Sequence, residues 1–207
     1  MENLLPVAVV LASYLLGSLS FAVIVSRLMG LADPRSYGSK NPGATNVLRS
    51  GSRRAAILTL LFDALKGAVP VALVLAFGPS QGLGSGVAAM AGLAAFLGHL
   101  YPVFFGFAGG KGVATAVGVL VGLSGWLALA SVLTFAIVLF FSRYVSLASM
   151  VAAVFAPAYY LFGDGIAWQA GATEVLCLWA MGVLLIWRHR ENIRRLLAGT
   201  ESRLGRK

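Results

Sequence analysis

The stretch VATAVGVLVGLSGWLALASVLTFAIVLFF, residues 113–141, runs for 29 residues without a charged side chain. An apolar run of about 17–25 residues can cross the hydrocarbon core of a bilayer as a helix. This stretch is therefore one tilted span or two shorter ones. Gly122-Leu123-Ser124-Gly125 in its middle is typical of a turn. The split gives residues 113–123 and 126–141, and the first piece, about 17 Å long, would be a short or partly buried helix.

The composition of the whole chain is that of a membrane protein. Apolar residues make up 59% of the 207 residues and charged residues 11%, whereas soluble domains hold about 45–50% and about 25%. The net charge of +9 would suit a nucleic acid, but the basic residues lie between apolar runs or in the tail. There they are ordinary topology signals, so we expect no nucleic-acid partner.

The distribution of Lys and Arg decides the number of spans. With the N-terminus outside and seven spans, every Lys and Arg except Lys66 lies in loops on one side, which the positive-inside rule makes cytoplasmic. Six spans would put basic loops on both sides. The sequence therefore predicts one all-α domain over residues 1–207, a seven-span helical bundle with a cytoplasmic C-terminus. The predicted spans are about 4–25, 55–77, 83–105, 113–123, 126–141, 144–162 and 174–187. The basic tail that follows, residues 188–207, is expected to lie on anionic membrane lipid.

Two charged residues lie inside the second predicted span. Asp63 and Lys66 are three residues apart, so they share a helix face. Charges at that depth are costly and usually paired. We expect an ion pair that fixes helix packing, and the alternative is a direct role at a substrate.

The loop of residues 36–54 has the composition of an anion-binding loop. Gly38 and Gly43 permit tight turns and a close approach of the backbone to a ligand. The loop holds no acid, and its arginines have the forked geometry that suits phosphate. Its candidate ligand-binding side chains are Ser39, Thr45, Asn46 and Arg49. The alternative is a flexible basic loop that serves topology alone.

A second candidate is Gly109-Gly110-Lys111-Gly112, just before the fourth predicted span. Backbone N–H groups at a helix start, with a lysine as point charge, can hold a phosphate. The run is not a Walker A loop, because no Ser or Thr follows Lys111 and the first glycine of that motif is out of place. The alternative is a turn with one positive-inside lysine.

Further polar residues lie at the cytoplasmic ends of other spans, where converging polar groups commonly form a ligand site. They are His99, Ser142, Arg143, Ser146, His189 and Asn192. Two separated histidines and one cysteine lack metal-ligand spacing, so we expect no metal.

At these residues the chain resembles a bacterial family, the membrane acyl-phosphate:glycerol-3-phosphate acyltransferases. The resemblance covers nearly the whole chain. The matching stretches are 14–18, 38–47, 63–67, 98–104, 109–115, 143–149 and 188–193.

The resemblance implies a reaction in which a long-chain acyl phosphate donates its acyl group to the 1-hydroxyl of glycerol 3-phosphate. The products would be lysophosphatidic acid and phosphate, in the first step of bacterial phospholipid synthesis. No cofactor is implied. The resemblance places the enzyme in the cytoplasmic (inner) membrane with its active site on the cytoplasmic face, and a soluble acyl-phosphate-producing enzyme is an implied partner. Neither histidine is followed by the His-x4-Asp aspartate of other glycerolipid acyltransferases, which agrees with a different donor.

The motifs shared with this family also imply roles for individual residues. Lys111 and Arg49 would bind phosphate and offset its charge, and no residue is a clear general base. An acyl phosphate is already activated, so a strong protein nucleophile is not required. Because no general base is evident, we expect a substrate phosphate oxygen to accept the hydroxyl proton. The predicted catalytic residues are Ser39, Lys111, His189 and Asn192. The predicted substrate-binding residues are Gly38, Gly43, Thr45, Asn46, Arg49, His99, Gly109, Gly110, Gly112, Ser142, Arg143 and Ser146.

Two other classes of protein share part of this pattern. A small organic-anion transporter would also need buried charge and Gly-rich helices, but it would more often show an inverted repeat or helix breaks near the midplane. Here the polar groups gather at one face. A non-catalytic scaffold would leave the Asn, His and Gly-Gly-Lys-Gly segments without a purpose.

Overall fold

The computed structural model describes residues 4–205, and this part of the chain is helical with no named strand. The helices are α1 (Leu4–Gly17), α2 (Phe21–Leu28), α3 (Ala44–Val47), α4 (Arg53–Phe77), α5 (Ser85–Leu100), α6 (Val113–Leu123), α7 (Gly125–Ser142), α8 (Val145–Phe162), α9 (Ala172–Arg188) and α10 (Arg190–Leu197). The all-α prediction is confirmed for these residues. Arg206 and Lys207 of the predicted basic tail lie outside the described residues.

The uncharged run of residues 113–141 is divided at the predicted turn. α6 ends at Leu123, and the Ser124 side chain caps α7 by accepting the Leu127 N–H at 3.4 Å. The chain also separates here into two compact units, the first reaching Leu123 and the second beginning at Ser124. The single domain over residues 1–207 stays a prediction.

Helix lengths agree with most of the predicted spans. In the part of the chain that the structure describes, four segments are long and apolar enough to cross a bilayer: Arg53–Phe77, Ser85–Phe105, Gly125–Ser142 and Val145–Phe162. Two bent pairs would bring the number to six: α1 with α2 at 44°, and α9 with α10 at 55°. α6 has 11 residues, the short helix that was expected. The count of seven and the sides of the termini stay predictions.

The first predicted span is not one helix. The apolar run of residues 4–25 is broken between Gly17 and Phe21, and the two pieces form the bent pair α1 and α2. At the break the Leu19 carbonyl accepts a hydrogen bond of 2.7 Å from the Lys66 Nζ of α4. A break in an apolar helix is tolerated when a neighbouring helix satisfies the freed backbone groups, and Lys66 does so here.

In the first unit α4 packs against α2, α3, α5 and α6, and α1 packs against α5. Small residues bring these helices close together. A Cβ on Gly67 or Gly118 of the α4–α6 crossing would collide with a carbonyl of the partner helix, and a Cβ on Gly17 would collide with Ala95 of α5. Gly82 ends a 3-10 turn with φ of +73°, and a Cβ there would meet nothing within 4 Å.

The second unit contains α7, α8, α9 and α10, in which α8 contacts both α7 and α9. The Thr134 and Tyr159 hydroxyls lie 2.9 Å apart between α7 and α8. Gly182 of α9 faces the Ala153 carbonyl of α8. Phe140 of α7 is 77% exposed on a helix without a charge, as expected for a helix that faces lipid.

Candidate active site

The loop of residues 36–54 is built around the side chain of Asn46, which is 2% exposed. The Asn46 Nδ2 donates to the Pro34 carbonyl at 2.6 Å and to the Tyr37 carbonyl at 3.2 Å. Its Oδ1 accepts the Ser39 N–H at 3.0 Å. Asn46 was predicted to orient a substrate. In the structure its amide instead shapes the loop that presents Ser39.

Gly38 gives this loop its turn. Its φ is +58°, and a Cβ there would collide with the Asn46 Oδ1 and lie 3.0 Å from the Cδ of Arg49. Arg49 therefore packs its aliphatic stem over a position that admits no side chain. Gly43 precedes α3 with an extended backbone. Ser39, Thr45 and Arg49 are exposed.

An ion pair that the sequence analysis did not predict lies before this loop. The Arg35 Nη2 is 2.6 Å from the Asp33 Oδ2, with more than a third of each side chain exposed. The hydrogen bonds from Arg35 hold the pKa of Asp33 below its ordinary value. The Arg35 guanidinium also lies over the Phe105 ring, 5.9 Å from its centroid.

The Gly109–Gly112 segment, named here the glycine loop, folds back on the end of α5. A Cβ on Gly109 would collide with the carbonyls of His99 and Leu100. The Gly110 N–H donates to the His99 carbonyl at 3.1 Å. Gly112 has φ of +82°, and its Cβ would collide with the Phe96 ring. Gly109 and Gly112 therefore leave no room for a side chain. The half-buried Lys111 lies between Gly110 and Gly112, just before α6.

The two predicted anion-binding segments of the first unit meet at Gly110. A Cβ on this residue would collide with the His99 ring on one side and lie 2.9 Å from the Pro42 carbonyl oxygen on the other. The glycine loop is therefore wedged between His99 and the loop of residues 36–54. The sequence placed these segments on one face of the membrane, and the structure brings them into contact.

A buried ion pair contacts His99, the residue against which the glycine loop packs. The Lys66 Nζ is 2.8 Å from the Asp63 Oδ1, and the two side chains are 1% and 3% exposed. The predicted ion pair is confirmed. The same Oδ1 lies 3.5 Å from the His99 Nδ1, a contact that the sequence did not predict. The Tyr14 hydroxyl of α1 donates to the Tyr101 carbonyl at 2.8 Å and fastens the chain just beyond α5.

In the second unit His189 lies buried at the bend between α9 and α10. Its Nδ1 is 2.8 Å from the Leu185 carbonyl oxygen. A carbonyl only accepts, so Nδ1 carries the proton, and this fixes the orientation of the ring.

Close to this bend the carboxylate of Glu201 accepts hydrogen bonds from three side chains. The Glu201 Oε1 accepts from the Ser146 Oγ at 2.7 Å and from the Asn192 Nδ2 at 2.6 Å. Its Oε2 accepts from the Arg195 Nε at 2.7 Å. These four residues are named here the carboxylate cluster. Burial of Glu201 opposes ionisation, but the three hydrogen bonds and the Arg195 charge outweigh it and hold the pKa of Glu201 below its ordinary value.

The remaining predicted residues lie at the turn between α7 and α8. The Ser142 Oγ donates to the Val138 carbonyl at 2.6 Å. Arg143 ends α7 with φ of +61°, and its carbonyl accepts the Leu204 N–H at 2.8 Å. The Arg203 Nε donates to the Tyr144 hydroxyl at 2.9 Å. Residues 201–204 of the tail therefore fold onto this turn. The sequence did not predict this contact. The one available signal was that Glu201 is the only acid after Glu191.

The sequence profile of the family described as glycerol-3-phosphate acyltransferase matches residues 7–199. The chain belongs to that family. It is 64% identical, over its full length and 92% of the relative, to a glycerol-3-phosphate acyltransferase of Albidiferax ferrireducens. A relative from Bordetella petrii is 59% identical over 98% of this chain and 95% of its own length. The resemblance inferred from the motifs is confirmed.

Solved structures agree with this family membership. The fold is similar to the crystal structure of PlsY, an integral membrane glycerol 3-phosphate acyltransferase, in its glycerol 3-phosphate form, with a TM-score of 0.87 and 42% identity. That match covers 97% of this chain and 96% of the other. The lysophosphatidic acid form of PlsY matches with a TM-score of 0.85. Together with the apolar helices, these matches make this family member a multi-pass membrane protein.

Within residues 4–205 no three His, Cys, Asp or Glu side chains lie close enough to hold a metal ion. The described candidate site offers hydrogen-bonding and charged groups, among them Lys111, Arg49 and the two histidines.

Proposed function

We propose that this acyltransferase takes its acyl group from an acyl phosphate and transfers it to the 1-hydroxyl of glycerol 3-phosphate. The products are lysophosphatidic acid and inorganic phosphate, and the reaction begins phospholipid synthesis. The observation that carries the proposal is the glycine loop, in which Lys111 stands between glycines packed against His99 and the Pro42 carbonyl. Such a loop fits a phosphate group, and both proposed substrates carry one.

Glycerol 3-phosphate is the substrate that depends most on this loop. It is small, and its phosphate is its only charged group, whereas the donor also gains binding energy from its acyl chain. In our proposal the backbone of the glycine loop and the ammonium of Lys111 hold the glycerol 3-phosphate. Arg49 and the hydroxyls of Ser39 and Thr45 contact the substrates from the neighbouring loop, and Asn46 keeps that loop in shape.

The chemistry then needs positioning and charge stabilisation more than a protein nucleophile. The 1-hydroxyl oxygen attacks the acyl carbonyl carbon and forms the new ester bond. The bond between that carbon and the phosphate oxygen breaks, and phosphate leaves with the electron pair. The hydroxyl proton passes to a phosphate oxygen, so the step balances without a side-chain base. Lys111 offsets the negative charge that develops on the substrates.

The roles proposed for the second unit rest on the family resemblance. There His189 and Asn192 stay the predicted catalytic residues, and Ser142, Arg143 and Ser146 the predicted substrate contacts. In the carboxylate cluster Glu201 holds the Asn192 amide and the Ser146 hydroxyl in place.

We also propose seven spans with the N-terminus outside, α6 being the short fourth span. This topology keeps the loop of residues 36–54, the glycine loop and the basic tail on the cytoplasmic face of the inner membrane. It is supported by the placement of Lys and Arg. A cytoplasmic site would receive its acyl phosphate from a soluble enzyme.

The test uses purified protein in lipid with labelled glycerol 3-phosphate and either palmitoyl phosphate or palmitoyl-CoA. We expect lysophosphatidic acid from palmitoyl phosphate alone.

Lys111→Ala should lower the rate about 100-fold, since a group that stabilises developing charge has effects of this size. Lys40→Asn is the matched control, because it removes a nearby exposed charge and asparagine tolerates its φ of +55°. Product from palmitoyl-CoA would overturn the proposed donor. No product from either donor in folded protein would make anion flux into liposomes the next measurement.

A further inference from the structure

A third residue, His99, contacts the buried ion pair of Asp63 and Lys66. This contact is not needed to join the helices that the ion pair holds together. Lys66 is fully engaged: its Nζ contacts Asp63 at 2.8 Å and the Leu19 carbonyl at 2.7 Å, and it lies over the Phe21 ring. These contacts suffice to join α4 to the break between α1 and α2. Yet the Asp63 Oδ1 also lies 3.5 Å from the Nδ1 of His99, on α5.

His99 joins this buried pair to the glycine loop. Its Nδ1 faces Asp63, and its Nε2 is the atom nearest to the space that a Cβ on Gly110 would occupy. Its carbonyl accepts the Gly110 N–H at 3.1 Å. One residue therefore contacts Gly110 through both its ring and its backbone. A rotation of the imidazole would change the surface on which the glycine loop rests.

We propose that Asp63, held in place by Lys66, is a positioning residue that orients the His99 imidazole and thereby sets the phosphate-binding shape of the glycine loop. The inference rests on the proposed function of that loop. At 3.5 Å the two atoms are too far apart for a strong hydrogen bond, so Asp63 orients the ring chiefly through its charge. The carboxylate only accepts, so this geometry requires the proton of His99 on Nδ1.

The first experiment separates positioning from the stability of a buried ion pair. Removing either charge alone would strand the other in the interior, so both are neutralised together in two matched double variants. Asp63→Asn with Lys66→Met keeps an oxygen acceptor for His99. Asp63→Leu with Lys66→Met keeps the volume and removes the acceptor. Both have lost the ion pair, so their thermal unfolding in detergent should be similar.

We expect the Asp63→Leu double variant to show a KM for glycerol 3-phosphate about 10-fold above that of the Asp63→Asn double variant, because small displacements of a binding group have effects of this order. The KM for palmitoyl phosphate should change less. Equal KM values in the two folded double variants, beside an active unmodified enzyme, would overturn the inference. An inactive unmodified enzyme would instead overturn the proposed function.

A second measurement needs no folded Asp63 variant. The chain contains two histidines, so its ¹⁵N-histidine spectrum in detergent is simple, and His189→Gln assigns the signals. We expect His99 to carry its proton on Nδ1. A His99 ring protonated on Nε2 alone would show that Asp63 does not orient it, and this would overturn the inference even if the Asp63→Leu double variant failed to fold.

Discussion

The glycine loop of the first unit and the carboxylate cluster of the second unit both hold polar groups in place, but by opposite means. The glycine loop is shaped by missing side chains: a Cβ on Gly109, Gly110 or Gly112 would collide with its neighbours. In the cluster, three donor side chains surround one buried carboxylate, that of Glu201. The first arrangement should therefore respond to added volume, and the second to loss of charge.

The largest expected effect comes from volume in the glycine loop. Gly110→Ala should lower kcat/KM for glycerol 3-phosphate by about 100-fold or more, because the added methyl group must displace His99 or the loop itself. The matched control is Gly125→Ala at the start of α7, where a Cβ meets nothing within 4 Å. Steady-state kinetics on both variants, with thermal unfolding to check folding, make the comparison. Similar kinetics for the two variants would contradict the tight fit around Gly110.

A smaller effect is expected from loss of charge in the carboxylate cluster. Glu201→Gln should lower the free energy of unfolding by about 1–3 kcal/mol, because charged hydrogen bonds to Arg195, Asn192 and Ser146 are weakened. Glu191→Gln, which alters an exposed carboxylate on α10, is the control. Thermal unfolding in detergent measures both variants, and equal stability losses would argue against a special role for Glu201.

The carboxylate cluster also predicts a dependence of stability on pH. The pKa of Glu201 lies below its ordinary value of 4.5, so the folded state favours the ionised carboxylate. Its contribution to stability is complete above that ordinary value and is lost as the pH falls through the lower pKa of the folded state. Unfolding temperatures between pH 3 and 7, as a rough range that spans this window, should fall more steeply at the acidic end for the unmodified protein than for Glu201→Gln. Unfolding temperatures that fall equally steeply with pH in the two proteins would contradict the predicted role of Glu201.

The smallest effect is expected at Asp33, whose side chain is 38% exposed beside Arg35. The chemistry resembles that of the Glu201–Arg195 pair, but water screens the charges. Asp33→Asn should therefore change the free energy of unfolding by about 1 kcal/mol or less. A loss of stability as large as that of Glu201→Gln would mean that burial does not make the Glu201–Arg195 pair stronger than the Asp33–Arg35 pair.

Local signals in the sequence predicted much of this architecture. The turn at Gly122–Gly125 and the ion pair of Asp63 and Lys66 both follow from short spacings, and the structure contains both. The break between α1 and α2 was missed because residues 4–25 form a continuous apolar run. The group that makes the break tolerable, Lys66, lies 47 residues away from Leu19.

The role of the tail was missed for a related reason. Residues 188–207 have the composition of a basic segment on anionic lipid, and composition does not report that Glu201 reaches Ser146, 55 residues earlier in the chain. Asn46 was identified as important, but the sequence does not tell whether an amide faces a substrate or its own loop. Long-range partners and side-chain direction are set by tertiary packing.

In our proposal the glycine loop binds the phosphate of glycerol 3-phosphate through Lys111. The most direct test is calorimetric titration of glycerol 3-phosphate into the protein in lipid nanodiscs, comparing the unmodified chain with Lys111→Met and with Lys40→Asn. We expect Lys111→Met to weaken binding at least about 10-fold, the size of a lost charged hydrogen bond. Lys40→Asn should bind as the unmodified chain does. Unchanged affinity in folded Lys111→Met would contradict the proposal.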